Sequence, residues 1–197
     1  MTTRLCKRLL AQIGRAGPMP VADYMTQCLL DPLHGYYTTV QPFGAGGDFV
    51  TAPEVSQMFG ELLGLCLAQS WLDQGRPSPF VLAELGPGRG TLMTDLLRAT
   101  AGVPGFSEAA QIWLVEASRP LRAVQAETLA DYPLNFADSV SDLPDGPLFL
   151  IANEFFDCLP IRQYRRTEAG WQEQMIGAGD GELGFVLGKA LPQQGVP

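Results

Sequence analysis

Hydrophobic positions along this chain change their period near residue 79. Before that point they recur at helical spacing. Leu5, Leu9, Leu10 and Ile13 share one side of residues 4–16, and a second short amphipathic helix is predicted over 20–30, after the break Gly17-Pro18-Met19-Pro20. Beyond it, continuous apolar runs take over: FVLAEL (80–85), IWLVEA (112–117) and PLFLIANE (147–154), with a weaker LNFAD (134–138) between them. Runs that are apolar on both faces suit strands of a covered parallel sheet. Helices are predicted between them, over 91–99 with Leu92, Met93, Leu96 and Leu97 facing inward, and over 119–130 with Ser118 as its cap. Strand and helix alternating at these distances predict right-handed βαβ units, an α/β fold. After Pro160 the runs IRQYRRTE, GWQEQMIG and ELGFVLG, separated by turns, predict an antiparallel meander added to the rim of that sheet.

The stretch between the N-terminal helices and the first long strand has another character. Residues 31–54 form a loop rich in glycine and aromatic side chains, and long irregular loops in compact domains are usually functional. It ends on Thr51-Ala52-Pro53-Glu54, which fits a capping box in which the Thr51 hydroxyl and the Glu54 carboxylate each satisfy a backbone N–H. The helix that follows, 55–72, is apolar on most sides around Leu62 to Leu67 and is expected to be buried. Three parts are therefore expected: a helical N-terminal portion over 1–78, a core over 79–160, and the meander with its tail over 161–197.

Composition narrows the functional classes. The 197 residues carry a formal net charge of -8, which argues against a general nucleic-acid surface. The one dense basic strip, Arg162, Arg165 and Arg166, reads as a solvated strand face. Cys6, Cys28, Cys66 and Cys158 are scattered without a CxxC pair, and read as small buried hydrophobes in a reducing compartment. His34 is the only histidine, so His-based triads are disfavoured and no metal site is expected. No apolar run reaches the ~18 residues needed to span a bilayer. The basic, acid-free first helix runs on without a cleavage-like break, and a bacterial cytoplasmic location is preferred over the mitochondrial matrix of a eukaryote.

The chemistry centres on VLAELGPGRGTL (81–92), a strand running into a glycine-rich turn. A triphosphate loop needs a lysine followed by Ser or Thr, whereas here the turn ends Arg89-Gly90-Thr91 and no lysine lies between Lys7 and Lys189. Gly86, Gly88 and Gly90 approximate a dinucleotide fingerprint, with Thr91 where a third small residue belongs. Glu84, just before the turn, would repel a pyrophosphate and welcome a cation. Glu116, ending the second strand, is placed to accept hydrogen bonds from ribose hydroxyls. A nucleoside with no phosphate and a cationic tail describes S-adenosyl-L-methionine. Asp138, at the end of the third strand, would accept from the adenine amino group. Asn153, Glu154 and Asp157, after the fourth strand, would face the transferable methyl, with Phe155 and Phe156 walling it off.

DPLHGYY, GGDFVTAPEVSQMFGELLG, ELGPGRGTL and NEFFDCLPIRQ together resemble the MidA-type family of S-adenosylmethionine-dependent methyltransferases, over nearly the whole chain. The family's mitochondrial members are complex I assembly factors that symmetrically dimethylate an arginine of a complex I subunit. The resemblance implies a Rossmann-like class I methyltransferase sheet, present in part, with a helical N-terminal cap and a β-meander insertion. It implies Glu84, Gly86, Gly88 and Glu116 around the cofactor, and Asp48, Glu54 and Glu154 as substrate-side acids. A guanidinium keeps its charge and is a poor nucleophile, and a carboxylate that holds it bidentately can aim one nitrogen at the methyl. Glu154 ranks first because it follows the fourth strand directly.

The family's members are longer and their sheet normally has more strands. The fourth strand is therefore expected to be a sheet edge, in a fragment or beneath a partner that covers it. The leading reading is a protein arginine methyltransferase with a protein substrate. The others are a non-catalytic assembly or binding protein that keeps the cofactor pocket, and a nicotinamide-dependent oxidoreductase, which Glu84 beside the loop disfavours.

Overall fold

The computed structural model describes residues 3–39 and 51–191. In chain order the elements are α1 (Arg4–Ala16), β1 (Met19–Pro20), α2 (Val21–Leu30), α3 (Tyr36–Thr39), α4 (Ala52–Val55), α5 (Gln57–Asp73), β2 (Phe80–Leu85), α6 (Thr91–Thr100), α7 (Phe106–Ala109) and β3 (Ala110–Val115). They continue with α8 (Arg119–Thr128), β4 (Leu134–Ala137), β5 (Leu148–Ala152), β6 (Gln163–Thr167), β7 (Gly170–Gly179) and β8 (Glu182–Ala190). The chain divides into two compact units, residues 42–157 and residues 1–41 with 158–197. These units do not follow the expected cuts at 78 and 160, since α5 goes with the parallel sheet and the N-terminal helices go with the meander.

The 42–157 unit is built on a parallel sheet of order β4-β3-β2-β5. All six residues of β2 are buried, as its unbroken apolar run predicts for a central strand. The chain steps from β2 to β3 to β4 in one direction and then returns to β5 on the other side of β2. That reversal puts the topological switch point between β2 and β5, where open α/β sheets bind ligands at the carboxyl ends of their strands. Among the described residues β5 pairs only with β2, so it is the expected sheet edge.

One face of this sheet carries the main core. Trp71, Phe80, Phe106 and Phe149 form an aromatic cluster with neighbouring ring centroids 5.1 to 5.9 Å apart. Leu92, Met93, Leu96 and Leu97 of α6 are all buried against it. Full burial of each such side chain contributes roughly 1.5–3 kcal/mol.

The long helix before β2 differs from expectation in two ways. It is broken at Ser56, whose extended backbone (φ -150°, ψ 120°) separates the single turn α4 from α5. Its buried face is also not the leucine-rich one. Gly60, Gly64, Ala68 and Trp71 are buried, whereas Met58, Leu62 and Leu65 are exposed. The cause is close approach: a Cβ on Gly64 would stand 2.9 Å from both Cα and the carbonyl oxygen of Leu96, so α5 meets α6 through its small residues.

The second unit has its own sheet. β7 pairs antiparallel with β8, β6 and β1, so the meander forms a separate sheet rather than extending the rim of the parallel one. The reason lies at Met19-Pro20, which act as a short strand: Met19 lies opposite Ile176, and both are buried with Leu9, Ile13 and Val21. Thr3 caps α1 by accepting the Cys6 N–H, and Gly17 ends it at φ 87°. None of the four cysteines is fully buried, and Cys66 is exposed, against the reading of all four as core hydrophobes. Arg165 and Arg166 are exposed as expected, and Arg162 pairs with Glu173 at 2.9 Å. Among the described residues no helix is long and apolar enough to cross a membrane.

Candidate cofactor site

Three glycines turn the chain from β2 into α6, each for a different reason. Gly86, Gly88 and Gly90 all have positive φ (60°, 55° and 86°), a region costly for other residues. A Cβ on Gly86 would strike the ring of Phe155 at 2.6 Å. At Gly90 it would crowd Leu129 at 3.3 Å, where the residue caps α6. At Gly88 it would meet nothing within 4 Å, so this half-buried residue faces open space, and Gly86 is itself exposed beside the ring. A ligand can therefore approach the backbone at Gly88, while Gly86 and Gly90 shape the turn that presents it.

Glu84 sits inside the sheet immediately before this turn, between Leu114 of β3 and Ile151 of β5, and is 3% exposed. Burial pushes its carboxyl up to about 8, although the Met93 backbone N–H donates to it and pulls the other way. Its Oε2 is buried without a hydrogen-bond partner among the described residues. A buried acceptor left bare costs about 1–3 kcal/mol, and a cationic donor would satisfy it best.

Glu116 follows β3 directly, one residue beyond the strand's end. Its Oε1 accepts the Ser118 N–H at 2.8 Å and its Oε2 accepts the Gln125 side-chain amide at 3.3 Å. Its pKa is raised, chiefly by burial, with the Ser118 N–H opposing. Ser118 thus serves through its backbone. Its side chain makes no cap to α8, contrary to expectation.

Two residues of α8 organise this corner, and sequence reasoning passed over both. Gln125 is fully buried and also donates to the Gly88 carbonyl oxygen at 2.8 Å, so it joins the glycine loop to Glu116. Arg122 donates to the carbonyl oxygens of Glu116 (2.7 Å) and Ala137 (2.9 Å), pairs with Asp138, and lies 5.4 Å above the Phe136 ring. Asp138 is therefore held at the end of β4, with its side chain 82% exposed. The available signal was Gln125 itself, a polar residue in the inward stripe Leu121–Gln125–Leu129.

At the switch point, β5 ends at Ala152 and the candidate residues lie just beyond it. Asn153 is half-buried, and Glu154 and Asp157 are exposed. Glu154 takes φ 49°, a left-handed conformation costing a non-glycine residue about 1–3 kcal/mol and typical of functional turns. Phe155 packs against Gly86, and Phe156 is 65% exposed and touches Phe155 edge-on.

The capping box at Thr51 is absent. Thr51 makes no side-chain cap, and the Glu54 carboxylate turns instead to the glycine loop, accepting the Thr91 hydroxyl at 2.8 Å and lying 3.8 Å from Arg89. Asp48 lies outside the described residues. Among those described, no cluster of His, Cys, Asp and Glu has the makings of a metal site.

Residues 62–195 match the model of a protein family described as "Putative S-adenosyl-L-methionine-dependent methyltransferase". The chain belongs to this family. It is 39% identical over 209 residues to the mitochondrial protein arginine methyltransferase NDUFAF7 of Danio rerio, covering 93% of this chain and 50% of that protein. To the Homo sapiens protein of the same name it is 36% identical, covering 88% of this chain and 45% of that one. A solved structure from Burkholderia thailandensis, bound to S-adenosyl-homocysteine, superimposes with a TM-score of 0.77 at 32% identity over 96% of this chain and 50% of that one. The chain spans about half the length of the curated relatives it matches. Family membership makes S-adenosylmethionine the cofactor, and the residues found here fit it: a bare buried carboxylate oxygen, an open backbone approach at Gly88, and a second carboxylate one strand away.

Proposed function

We propose that this chain carries the cofactor-binding half of a protein arginine methyltransferase whose substrate is a subunit of a respiratory complex or its bacterial counterpart. The observation that carries the reading is the pair of carboxylates around one loop. Glu84 is buried beneath the glycine turn with an unsatisfied oxygen, and Glu116 is tied to the same turn through Gln125. The names of the relatives above support protein arginine as the substrate class, and the respiratory-complex subunit is what the family resemblance implies. S-adenosylmethionine, when bound, supplies an electrophilic methyl on a sulfonium. Glu84 receives the cationic amino group, Gly88 admits the ligand against bare backbone in the turn that Gly86 and Gly90 shape, Glu116 accepts from the ribose hydroxyls, and Asp138 lies on the adenine side.

Glu154 is the first choice for the substrate-side acid, with Asn153, Asp157 and Asp48 beside it in the reading. A carboxylate that grips a guanidinium bidentately localises its charge and fixes which nitrogen faces the methyl. The backbone at Glu154 holds that carboxylate at the switch point in a conformation that is costly without a compensating role. Positioning in a closed site then supplies much of the acceleration. The reading places the chain in the cytoplasm if bacterial and in the mitochondrial matrix if eukaryotic; the mitochondrial names of the eukaryotic relatives support the second arm.

The test is calorimetric titration with S-adenosyl-homocysteine, with Glu116→Ala and NAD as controls, followed by methylation of an arginine peptide library. Micromolar binding that the variant loses and NAD does not reproduce supports the cofactor site. Arginine methylation abolished by Glu154→Gln, with cofactor affinity retained, supports the substrate side. Unchanged methylation in Glu154→Gln removes that residue from the reaction.

A further inference from the structure

We infer that Gln125 is a positioning residue of the cofactor site, a brace that holds the glycine loop and Glu116 at a fixed separation so that both meet one ligand. The inference rests on the cofactor reading above and deepens it.

The orientation of the Gln125 amide is settled by its neighbours. One is the Gly88 carbonyl oxygen at 2.8 Å and the other the Glu116 Oε2 at 3.3 Å, and a carbonyl and an ionised carboxylate can only accept. The NH2 group must therefore face them together, which leaves Gln125 Oε1 buried without a partner among the described residues. A leucine at this position would continue the stripe from Leu121 to Leu129 and strand no oxygen, so packing alone does not call for a carboxamide. The support behind it is rigid. One turn earlier, Arg122 binds the carbonyl oxygens of Glu116 and Ala137 and pairs with Asp138, which pins α8 to the ends of β3 and β4. Gly88 also faces open space. Gln125 thus holds the loop from behind at a point a ligand can approach, and with its other hydrogen holds the acid meant for the ribose.

Such a brace acts through Gly88 and Glu116 without touching the reacting atoms, so its loss appears in affinity. The experiment is titration of S-adenosyl-homocysteine into the parent chain, Gln125→Met and Gln125→Glu, with thermal melting of each. Gln125→Met keeps the volume and removes both hydrogen bonds, and it is expected to weaken binding by about tenfold or more while remaining folded at the titration temperature. Gln125→Glu sets a second carboxyl beside Glu116, where the two share a proton. Its affinity deficit relative to the parent is expected to grow as pH rises and to shrink as pH falls. A parent that binds while Gln125→Met binds equally well, with only its melting point lowered, assigns Gln125 a purely structural part and overturns the inference. A folded parent that does not bind overturns the cofactor reading, and the inference with it.

Discussion

Phe155 and Gly86 are in contact across the switch point, with no room for a side chain between them: a Cβ on Gly86 would stand 2.6 Å from Phe155 Cδ2. The carboxyl end of β5 is thereby locked to the first turn of the cofactor loop. Gly86→Ala meets two obstacles, this ring and a φ of 60°. The backbone alone costs about 1–3 kcal/mol for a non-glycine residue. The expected outcome is a lower melting temperature and loss of S-adenosyl-homocysteine binding by about tenfold or more. Gly102→Ala, where nothing lies within 4 Å, serves as the control and is expected to leave both unchanged. Parent-like binding by Gly86→Ala would show that the loop and Phe155 move independently.

Glu84 makes stability depend on pH in a direction opposite to most carboxylates. Its pKa in the folded chain is pushed up to about 8 by burial, from an ordinary 4.5. The folded state therefore keeps a proton that the unfolded chain has lost, and stability is greatest below about 4.5 as far as this group is concerned. It falls by up to about 1.4 kcal/mol per pH unit as pH rises toward 8, then levels off. Urea unfolding at pH 6 and pH 8 should show this fall in the parent and not in Glu84→Gln, which is neutral throughout. A cationic ligand at Oε2 favours the ionised form, so S-adenosyl-homocysteine is expected to restore more stability to the parent at pH 8 than to the variant. Identical pH profiles in parent and variant would mean that Glu84 is hydrated in solution.

The Glu54 carboxylate, placed by the turn α4, holds the start of α6 by accepting the Thr91 hydroxyl at 2.8 Å. Thr91→Val removes the donor with little change of shape, and Glu54→Gln keeps the acceptor while removing the charge that faces Arg89. Glu54→Ala is expected to cost about 1–2 kcal/mol in urea unfolding. A double-mutant cycle with Thr91→Val should return a coupling of about 0.5–2 kcal/mol. Additive effects would show that the contact carries no stability.

The parallel sheet was legible because β2, β3 and β5 are continuous apolar runs at crossover spacing, and such runs have few other solutions. The cofactor loop was legible from its glycines and from the two acids that follow β-strand signals. The rest depended on contacts distant in sequence. Met19-Pro20 is too short to carry a strand pattern, and only Ile176 on β7 makes it one. The inner face of α5 is built of Gly60, Gly64 and Ala68, which periodicity counts as weak, so the leucines opposite them drew attention to the wrong side. Glu54 satisfied a local capping pattern, yet Thr91 competes for the same carboxylate from across the fold. Gln125 belongs to no motif, and only its partners Gly88 and Glu116 show what it holds.

Two glycine-to-alanine exchanges separate helix propensity from packing. In the interior of a helix, alanine is favoured over glycine by about 1 kcal/mol. Gly14 of α1 is exposed and a Cβ there would meet nothing within 4 Å, so Gly14→Ala is expected to stabilise by about 0.5–1 kcal/mol. At Gly64 of α5 the same propensity gain is opposed by a Cβ 2.9 Å from the Leu96 Cα and carbonyl oxygen, both backbone atoms that cannot rotate away. Overpacking of this kind costs about 1–3 kcal/mol, so Gly64→Ala is expected to destabilise on balance. Because α6 begins at the cofactor loop, pushing α5 off it should also weaken S-adenosyl-homocysteine binding, which Gly14→Ala should not touch. Thermal melts and titrations of the two variants side by side make the comparison. A Gly64→Ala chain as stable as Gly14→Ala would mean that α5 does not rest on α6 through its glycine face and that the exposed leucines are its contact side after all.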